Sequence, residues 1–301
     1  MSAIRSAALL VNTRSRWGRS QFDPARRRLS ALSIQVDAHA VDDPGTLRSR
    51  LDAALARGPD LIVLGGGDGT ISSVVGALPG TGVPLAILPL GTANSFARTL
   101  GLPLDIDGAV EVIRTGTLRR IDLGMVNDCA FANMAAIGLA PVIADTIPDG
   151  LKRWLGRAGY LGWAALQFAR FRTFRLSVDC RNMVQRMPAV EVRISNGRFQ
   201  GGTEVVDDAR LDSGEMLVQA VRGPRRTLVR DWGARLLGLP PRAGDEVTFR
   251  GRELRIDTDP PLPISIDGEV RACTPATIRV LPAAIDVMTP AEAGQRLFQQ
   301  S

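Results

Sequence analysis

The apolar, β-type run Leu61-Ile62-Val63-Leu64 stops in Gly65-Gly66-Gly67-Asp68-Gly69-Thr70, and helix-like spacing resumes at Ile71-Ser72-Ser73-Val74-Val75. A strand that ends in glycines and restarts as a helix constrains this part of the chain to a strand, a tight turn and a helix. Glycine lets the backbone approach a ligand closely and turn its N–H groups inward. A helix N-terminus directly behind adds orphan donors and a partial positive charge. The turn is therefore expected to cradle phosphate. Asp68 should repel phosphate unless a cation or a transferable proton lies between them, which points to phosphoryl transfer rather than anion binding alone. No Lys-Ser/Thr pair follows the glycines, which excludes a Walker-type P-loop.

The same alternation runs through the first 125 residues. Ser6–Val11, Ser33–Val41, Leu61–Leu64 and Leu85–Leu88 read as strands; Pro24–Leu32, Thr46–Ala56, Thr70–Leu78 and Ala93–Leu100 read as helices. This predicts a mostly parallel sheet covered on both faces, with ligands at the C-terminal ends of its strands. From Ile121 onward the texture changes to short β-type runs between turn residues, such as Phe174–Val178, Ala189–Ile194, Met216–Val221 and Thr277–Val280. Such runs predict a sandwich or antiparallel layer. One helical stretch, Leu151–Phe168, interrupts them. The expected architecture is an α/β domain over residues 1–125 and a β-rich, sandwich-like domain over 126–281. The tail 282–301 is expected to pack back on the first domain.

Composition bounds the rest. A hydrophobic content of 45% and a charged content of 23% are those of a soluble enzyme. The opening Ala7–Val11 is too short for a leader and reads as a first strand, and no apolar stretch is long enough to span a bilayer. Cys129, Cys180 and Cys273 are odd in number and widely spaced, which gives no zinc or disulfide framework and suits a reducing cytoplasm. The net charge of +6 favours an anionic partner. Lys152 is the only lysine, and the other bases are arginine. His39 reads as a surface strand residue without a role.

A second constellation, Leu88-Pro89-Leu90-Gly91-Thr92-Ala93-Asn94-Ser95, repeats the pattern one strand–helix unit later. Thr92 can cap a helix or bond a phosphate oxygen, and Asn94 can bond a neighbouring loop or a nucleotide. The two loops would form two walls of one crevice.

Gly66-Gly67-Asp68-Gly69-Thr70 followed by Pro89-Leu90-Gly91-Thr92-Ala93-Asn94 resembles the diacylglycerol-kinase catalytic domain of bacterial lipid kinases and sphingosine kinases. The resemblance runs almost end to end. It includes Asn12-Thr13-Arg14-Ser15-Arg16-Trp17-Gly18, Ile121-Asp122-Leu123-Gly124 and Phe131-Ala132-Asn133, then Asn196-Gly197 with Gly201-Gly202, and Ile266-Asp267-Gly268-Glu269. It implies an ATP-dependent kinase that requires Mg²⁺, with its active site in the cleft between two domains. The nucleotide would lie against Gly66, Gly67, Asp68, Gly69, Thr70, Ile71 and Ser72, and against Gly91, Thr92 and Asn94. Asn12, Arg14 and Arg16 would approach the triphosphate, where arginine can bond bidentately. Asp68 would act through Mg²⁺ or a water, and Asp122 would orient a loop or the metal. The resemblance gives the deprotonation of a lipid hydroxyl to Asp267 or Glu269. An alcohol is too weak an acid to ionise beforehand, so its proton should leave late, to a positioned carboxylate.

Two departures from the family pattern matter. Ser95 stands where members often carry a second acidic residue after Asn94. Ser213 stands where many bacterial members carry an aspartate that helps hold a structural Mg²⁺; Asp212 is the available substitute, but in an extended segment its side chain would point to the other face, which argues against a structural metal there.

The stretch Gly150–Ser177 holds Lys152, Arg153, Arg157, Arg170, Arg172 and Arg175, interleaved with Trp154, Tyr160 and Trp163, and has no acidic residue. It suits either an anionic membrane surface or the solvated face of a core helix. The expected partners are ATP, a lipid alcohol and an anionic membrane surface, with no nucleic acid; a homodimer stays open. The expected activity is phosphorylation of a lipid hydroxyl, diacylglycerol first, by a cytoplasmic, peripherally membrane-associated enzyme. An NAD kinase-like enzyme and a catalytically weak nucleotide- or lipid-binding regulator are the alternatives.

Overall fold

The computed structural model describes residues 4–146, 163, 166–236 and 244–291. The expected helix Leu151–Phe168 and most of its basic and aromatic residues lie outside the described residues, as do the last ten residues of the tail. Among the described residues no helix is long and apolar enough to cross a membrane.

In chain order the elements are β1 (Ser6–Asn12), α1 (Arg16–Ser30), β2 (Gln35–Val41), α2 (Leu47–Leu55), β3 (Leu61–Gly66), α3 (Asp68–Ser72), β4 (Leu85–Pro89), α4 (Ser95–Thr99) and α5 (Ile106–Thr115). Then come β5 (Thr117–Val126), β6 (Cys129–Phe131), β7 (Met134–Gly138), α6 (Leu139–Thr146), β8 (Phe174–Cys180) and β9 (Met183–Ser195). The short β10 (Phe199–Gln200) and β11 (Thr203–Glu204) lead to β12 (Met216–Arg222), α7 (Arg226–Leu236), β13 (Glu246–Gly251) and β14 (Glu253–Asp259). The series closes with β15 (Pro263–Ile266), β16 (Glu269–Cys273) and β17 (Ala276–Thr289). Two compact units result: residues 1–123 with 199–202 and 282–301, and residues 124–198 with 203–281.

The first unit is built on parallel strands in the order β17-β4-β3-β1-β2. Leu9, Leu10, Val11, Leu61–Leu64 and Leu85–Leu88 are all buried, the pattern of parallel strands covered on both faces. Helix α1 starts eight residues earlier than its apolar spacing suggests and carries Pro24 inside it. Ser15 caps it, its hydroxyl accepting the Gly18 N–H at 2.9 Å, and the buried Gly18, Ala25 and Leu29 hold the helix on the sheet. Arg28 ties it to Asp107 of α5. The helix expected over Thr70–Leu78 is instead the five-residue α3 followed by a 3₁₀ turn at Val75–Ala77. So short a helix adds less dipole behind the glycine loop than expected.

The second unit is antiparallel, in the order β16-β15-β7-β9-β8-β14-β17, with β12 paired to β9 and β13 to β12. Alternate residues of β14 (Leu254, Ile256 and Thr258) are buried, as expected where one face packs on a core and the other meets water. The core gathers Phe131, Leu176, Val178, Val192, Ile194, Val218, Ile256, Ile264 and Ile278. Within this unit Arg193 is fully buried, 2.8 Å from Glu191, 2.5 Å from Asp231 and 3.5 Å from Glu246, with Trp232 across its guanidinium. Burial opposes the charge, but Glu191 and Asp231 outweigh it and hold the guanidinium above its usual value.

Candidate functional site

The register of the first unit brings the two glycine loops together. Val11 pairs with Gly65 and Gly66 with Pro89, so Asn12, Gly66 and Pro89 end their strands at one edge of the parallel sheet. There the loops touch backbone to backbone. A Cβ on Gly91 would sit 2.5 Å from Gly67 Cα, and one on Gly67 would sit 2.9 Å from Gly91 Cα. Only glycine allows this approach at both positions. A Cβ on Gly66 would meet the Thr70 side chain at 2.5 Å.

Side chains then lock the loops. Asn12 Nδ2 donates to Thr70 Oγ1 at 3.0 Å, while Asn12 Oδ1 accepts the Arg14 N–H at 3.1 Å. Asn94, in the left-handed region at φ 48°, folds back on Gly91. Its Oδ1 accepts the Gly91 N–H at 2.8 Å and its Nδ2 donates to the Gly91 carbonyl at 2.9 Å. Asp68 accepts the backbone N–H of Ser95 at 3.0 Å on Oδ2 and that of Phe96 at 2.9 Å on Oδ1. It thereby supplies the cap for α4 that Asn94, the residue at the N-cap position, does not. Ser95 is buried, and its hydroxyl accepts the Gly202 N–H at 3.1 Å.

The remaining candidates of this unit divide clearly. Thr92, Arg14 and Arg16 are exposed, and both arginines lack an ion-pair partner among the described residues. Gly67, Asp68 and Gly69 are half-buried. Ile71 and Ser72 are buried, so the Ile71 side chain serves the core. Asp122 is buried and its Oδ1 accepts the Ala283 N–H at 2.8 Å.

In the second unit, segments distant in sequence converge on residues 132–134. Asp267, at φ 46°, forms a tight turn with Gly268 between β15 and β16. Its Oδ1 accepts the Met134 N–H at 2.9 Å and its Oδ2 the Ala132 N–H at 3.3 Å. Asn196 Nδ2 donates to the Ala132 carbonyl at 2.8 Å. Glu269 faces solvent and pairs with Arg271 at 2.8 Å. Asp212 is exposed in a turn rather than in an extended segment. The Ser213 hydroxyl organises that turn, donating to the Glu215 carbonyl at 2.9 Å.

These donor sets bear on Mg²⁺. Among the described residues no three acidic, histidine or cysteine groups cluster around a common point. The set fits an ion held mainly by phosphate oxygens and water, which is how Mg²⁺ usually sits in phosphoryl-transfer sites. It does not fit a cage built from protein alone, at Asp212 or elsewhere in the described residues. Sequence reasoning missed the Ser95–Gly202 bond. The available signal was the departure at Ser95 together with the Gly201-Gly202 pair, but nothing in their spacing tied one to the other.

Residues 6–126 match the family model of the diacylglycerol kinase catalytic domain, and residues 136–289 match that of the YegS C-terminal NAD kinase beta sandwich-like domain. A probable lipid kinase YegS-like protein of Pseudomonas aeruginosa is 34% identical over 252 residues, covering 83% of each chain. Its counterpart in Pseudomonas putida is 31% identical over 263 residues, 85% of this chain and 86% of that one. An uncharacterized protein of Synechocystis is 30% identical over 87% of this chain, which spans 62% of that relative's length. The crystal structure of a diacylglycerol kinase from Bacillus anthracis superposes with a TM-score of 0.75 at 20% identity, covering 97% of this chain and 99% of that one. At that identity the likeness speaks for the fold.

Proposed function

Because this chain belongs to the diacylglycerol kinase catalytic-domain family, we propose that it is an ATP-dependent lipid kinase that phosphorylates a lipid hydroxyl, with diacylglycerol as first candidate. The observation that carries this reading is the bidentate hold of Asp68 on the Ser95 and Phe96 N–H groups. It fixes two glycine loops against each other at the edge of a parallel sheet, the position where such folds take phosphorylated ligands.

In this proposal the backbone around Gly66–Thr70 and Gly91–Thr92 binds the phosphates, with Arg14 and Arg16 adding bidentate charge. Asp68 and Asp122 are the groups that would face nucleotide-borne Mg²⁺, whose chemistry is to neutralise charge on the transferred phosphoryl group. Asp267 accepts the proton of the lipid hydroxyl as the phosphoryl group leaves. Two backbone N–H bonds fix the orientation of its carboxylate, whereas Glu269 is committed to a surface ion pair.

A second reading has one observation in its favour: the second unit matches a domain described as NAD kinase-like. The loop Pro89–Asn94 and the late Asp267-Gly268-Glu269 favour the lipid acceptor. Labelled ATP offered with diacylglycerol, monoacylglycerol, ceramide, a sphingoid base and phosphatidylglycerol tests the acceptor. Transfer to diacylglycerol is expected; exclusive transfer to another lipid would replace it.

A further inference from the structure

We propose that Asn196 is a positioning residue for the proton-accepting step: it holds the segment whose N–H groups orient the Asp267 carboxylate. The inference rests on the proposed role of Asp267 and deepens it. Strand β7 lies between β9 and β15 and runs antiparallel to both. The two flanking strands therefore end at the edge where β7 begins. Ser195 pairs with Met134 and Ile266 with Ala135, so Asn196 and Asp267 are the first residues beyond these strands. Ala132 and Asn133, which lead into β7, are buried, and their N–H and C=O groups need partners that the ladders no longer supply. Asp267 takes the N–H groups of Ala132 and Met134. Asn196 takes carbonyls. Its Nδ2 donates to the Ala132 carbonyl at 2.8 Å. Its own N–H donates to the Asn133 carbonyl at 3.0 Å, beside that of Gly197 at 2.7 Å.

One peptide unit is gripped from both sides. The Asn133 carbonyl accepts the N–H groups of Asn196 and Gly197, and the Met134 N–H of the same unit donates to Asp267 Oδ1. An amide whose oxygen is hydrogen-bonded is polarised and donates more strongly. The second bond to the carboxylate is the longer one, from the Ala132 N–H to Oδ2 at 3.3 Å. Ala132 is also the residue whose carbonyl the Asn196 side chain holds. Without that amide Ala132 is released first, and the carboxylate pivots on the Met134 N–H. An ionised carboxylate offers about four lone-pair directions, and fixing two of them sets where the others point. In the proposed transfer the lipid oxygen bonds the γ-phosphorus, the bond to the bridging oxygen of ADP breaks, and the hydroxyl proton passes to Asp267. The orientation of the carboxylate decides whether that proton meets a lone pair. Asn196 is wholly buried, so it acts through Asp267 rather than on a substrate.

Steady-state phosphorylation of diacylglycerol in detergent micelles, with labelled ATP, tests the proposal in a cycle of Asn196→Ala, Asp267→Asn and the double variant. Asn196→Ala should lower kcat about tenfold and leave the KM for ATP unchanged, against about a hundredfold or more for removing the base itself. The double variant should turn over no more slowly than Asp267→Asn, because residues that act as one unit are not additive. A residue that only stabilised the fold would lower the unfolding temperature and slow both backgrounds by the same factor. Should Asn196→Ala fail to fold, Asn196→Ser enters the same cycle with the same expected outcome. It keeps a polar group in the buried place but is too short to hold the Ala132 carbonyl. Wild-type kcat in the folded Asn196 variant would overturn this inference and leave Asp267 as the base. So would a double variant slower than Asp267→Asn by the full factor of the single variant. Wild-type kcat in Asp267→Asn would overturn the proton-accepting role itself, and this inference with it.

Discussion

The backbone N–H of Ser95 donates to Asp68 Oδ2 at 3.0 Å, so the carboxylate of the first glycine loop caps the helix that follows the second. This relation gives Asp68 a task in the fold, the proposed function gives it a second toward the nucleotide, and the two can be separated by substitution.

Asp68→Ala should lower turnover by about a hundredfold or more, the usual scale for losing one preorganised electrostatic contact. It should also cost about 2 kcal/mol of stability, because two N–H groups lose a charged acceptor. Asp68→Asn should recover part of the stability but little of the turnover. Denaturant unfolding beside steady-state rates checks both. Turnover that recovers together with stability would make Asp68 a structural residue only.

Gly91→Ala forces a Cβ to within 2.5 Å of Gly67 Cα. The loops must part, at a cost of about 1–3 kcal/mol, and the edge proposed to bind phosphate opens with them. The expected result is a large rise in the KM for ATP, read with a nucleotide titration. Unchanged ATP affinity would mean that the nucleotide does not lie along this contact.

Asp267→Asn should reduce kcat more than it changes the KM for ATP, whereas Glu269→Gln should leave both close to the wild-type values. An effect confined to ATP affinity would remove Asp267 from the proton-accepting role. Thermal unfolding must accompany the rates, since the asparagine amide cannot accept both N–H bonds that the carboxylate holds.

Arg120 holds Asp286 through a hydrogen bond and its charge, and these outweigh burial to lower the pKa of that carboxylate. A carboxyl group whose folded value is depressed stabilises the fold above its unfolded pKa and loses that contribution as pH falls through the folded value. Asp286→Asn should therefore be less stable than wild type at neutral pH, with the gap closing on acidification below the ordinary carboxylate range of about 3.9. A gap independent of pH in urea titrations would show that the loss is one of packing.

Much of this was legible from residue order, for reasons that are local. Leu61–Leu64 and Leu85–Leu88 are unbroken apolar runs ending in glycine, and a run of that kind fits only a strand buried on both faces. The regular short runs after Ile121 likewise announced antiparallel strands. What stayed hidden depends on partners far along the chain. Helix α1 runs through Pro24 because buried Gly18, Ala25 and Leu29 outweigh one lost hydrogen bond, and no local pattern states that balance. The helix expected to Leu78 shortened to five residues and a 3₁₀ turn. The site showed the same divide. The glycine turn named Asp68 and the family resemblance named Asp267, but neither told that each would accept two backbone N–H groups from a distant segment.

The most direct measurement is a labelled-ATP assay in which diacylglycerol and NAD are offered together to wild-type protein with Mg²⁺. A lipid kinase places the label in the organic phase, as a lipid phosphate, and leaves NAD unmodified. Label recovered in a phosphorylated dinucleotide, or retained wholly in ATP, would contradict the assignment.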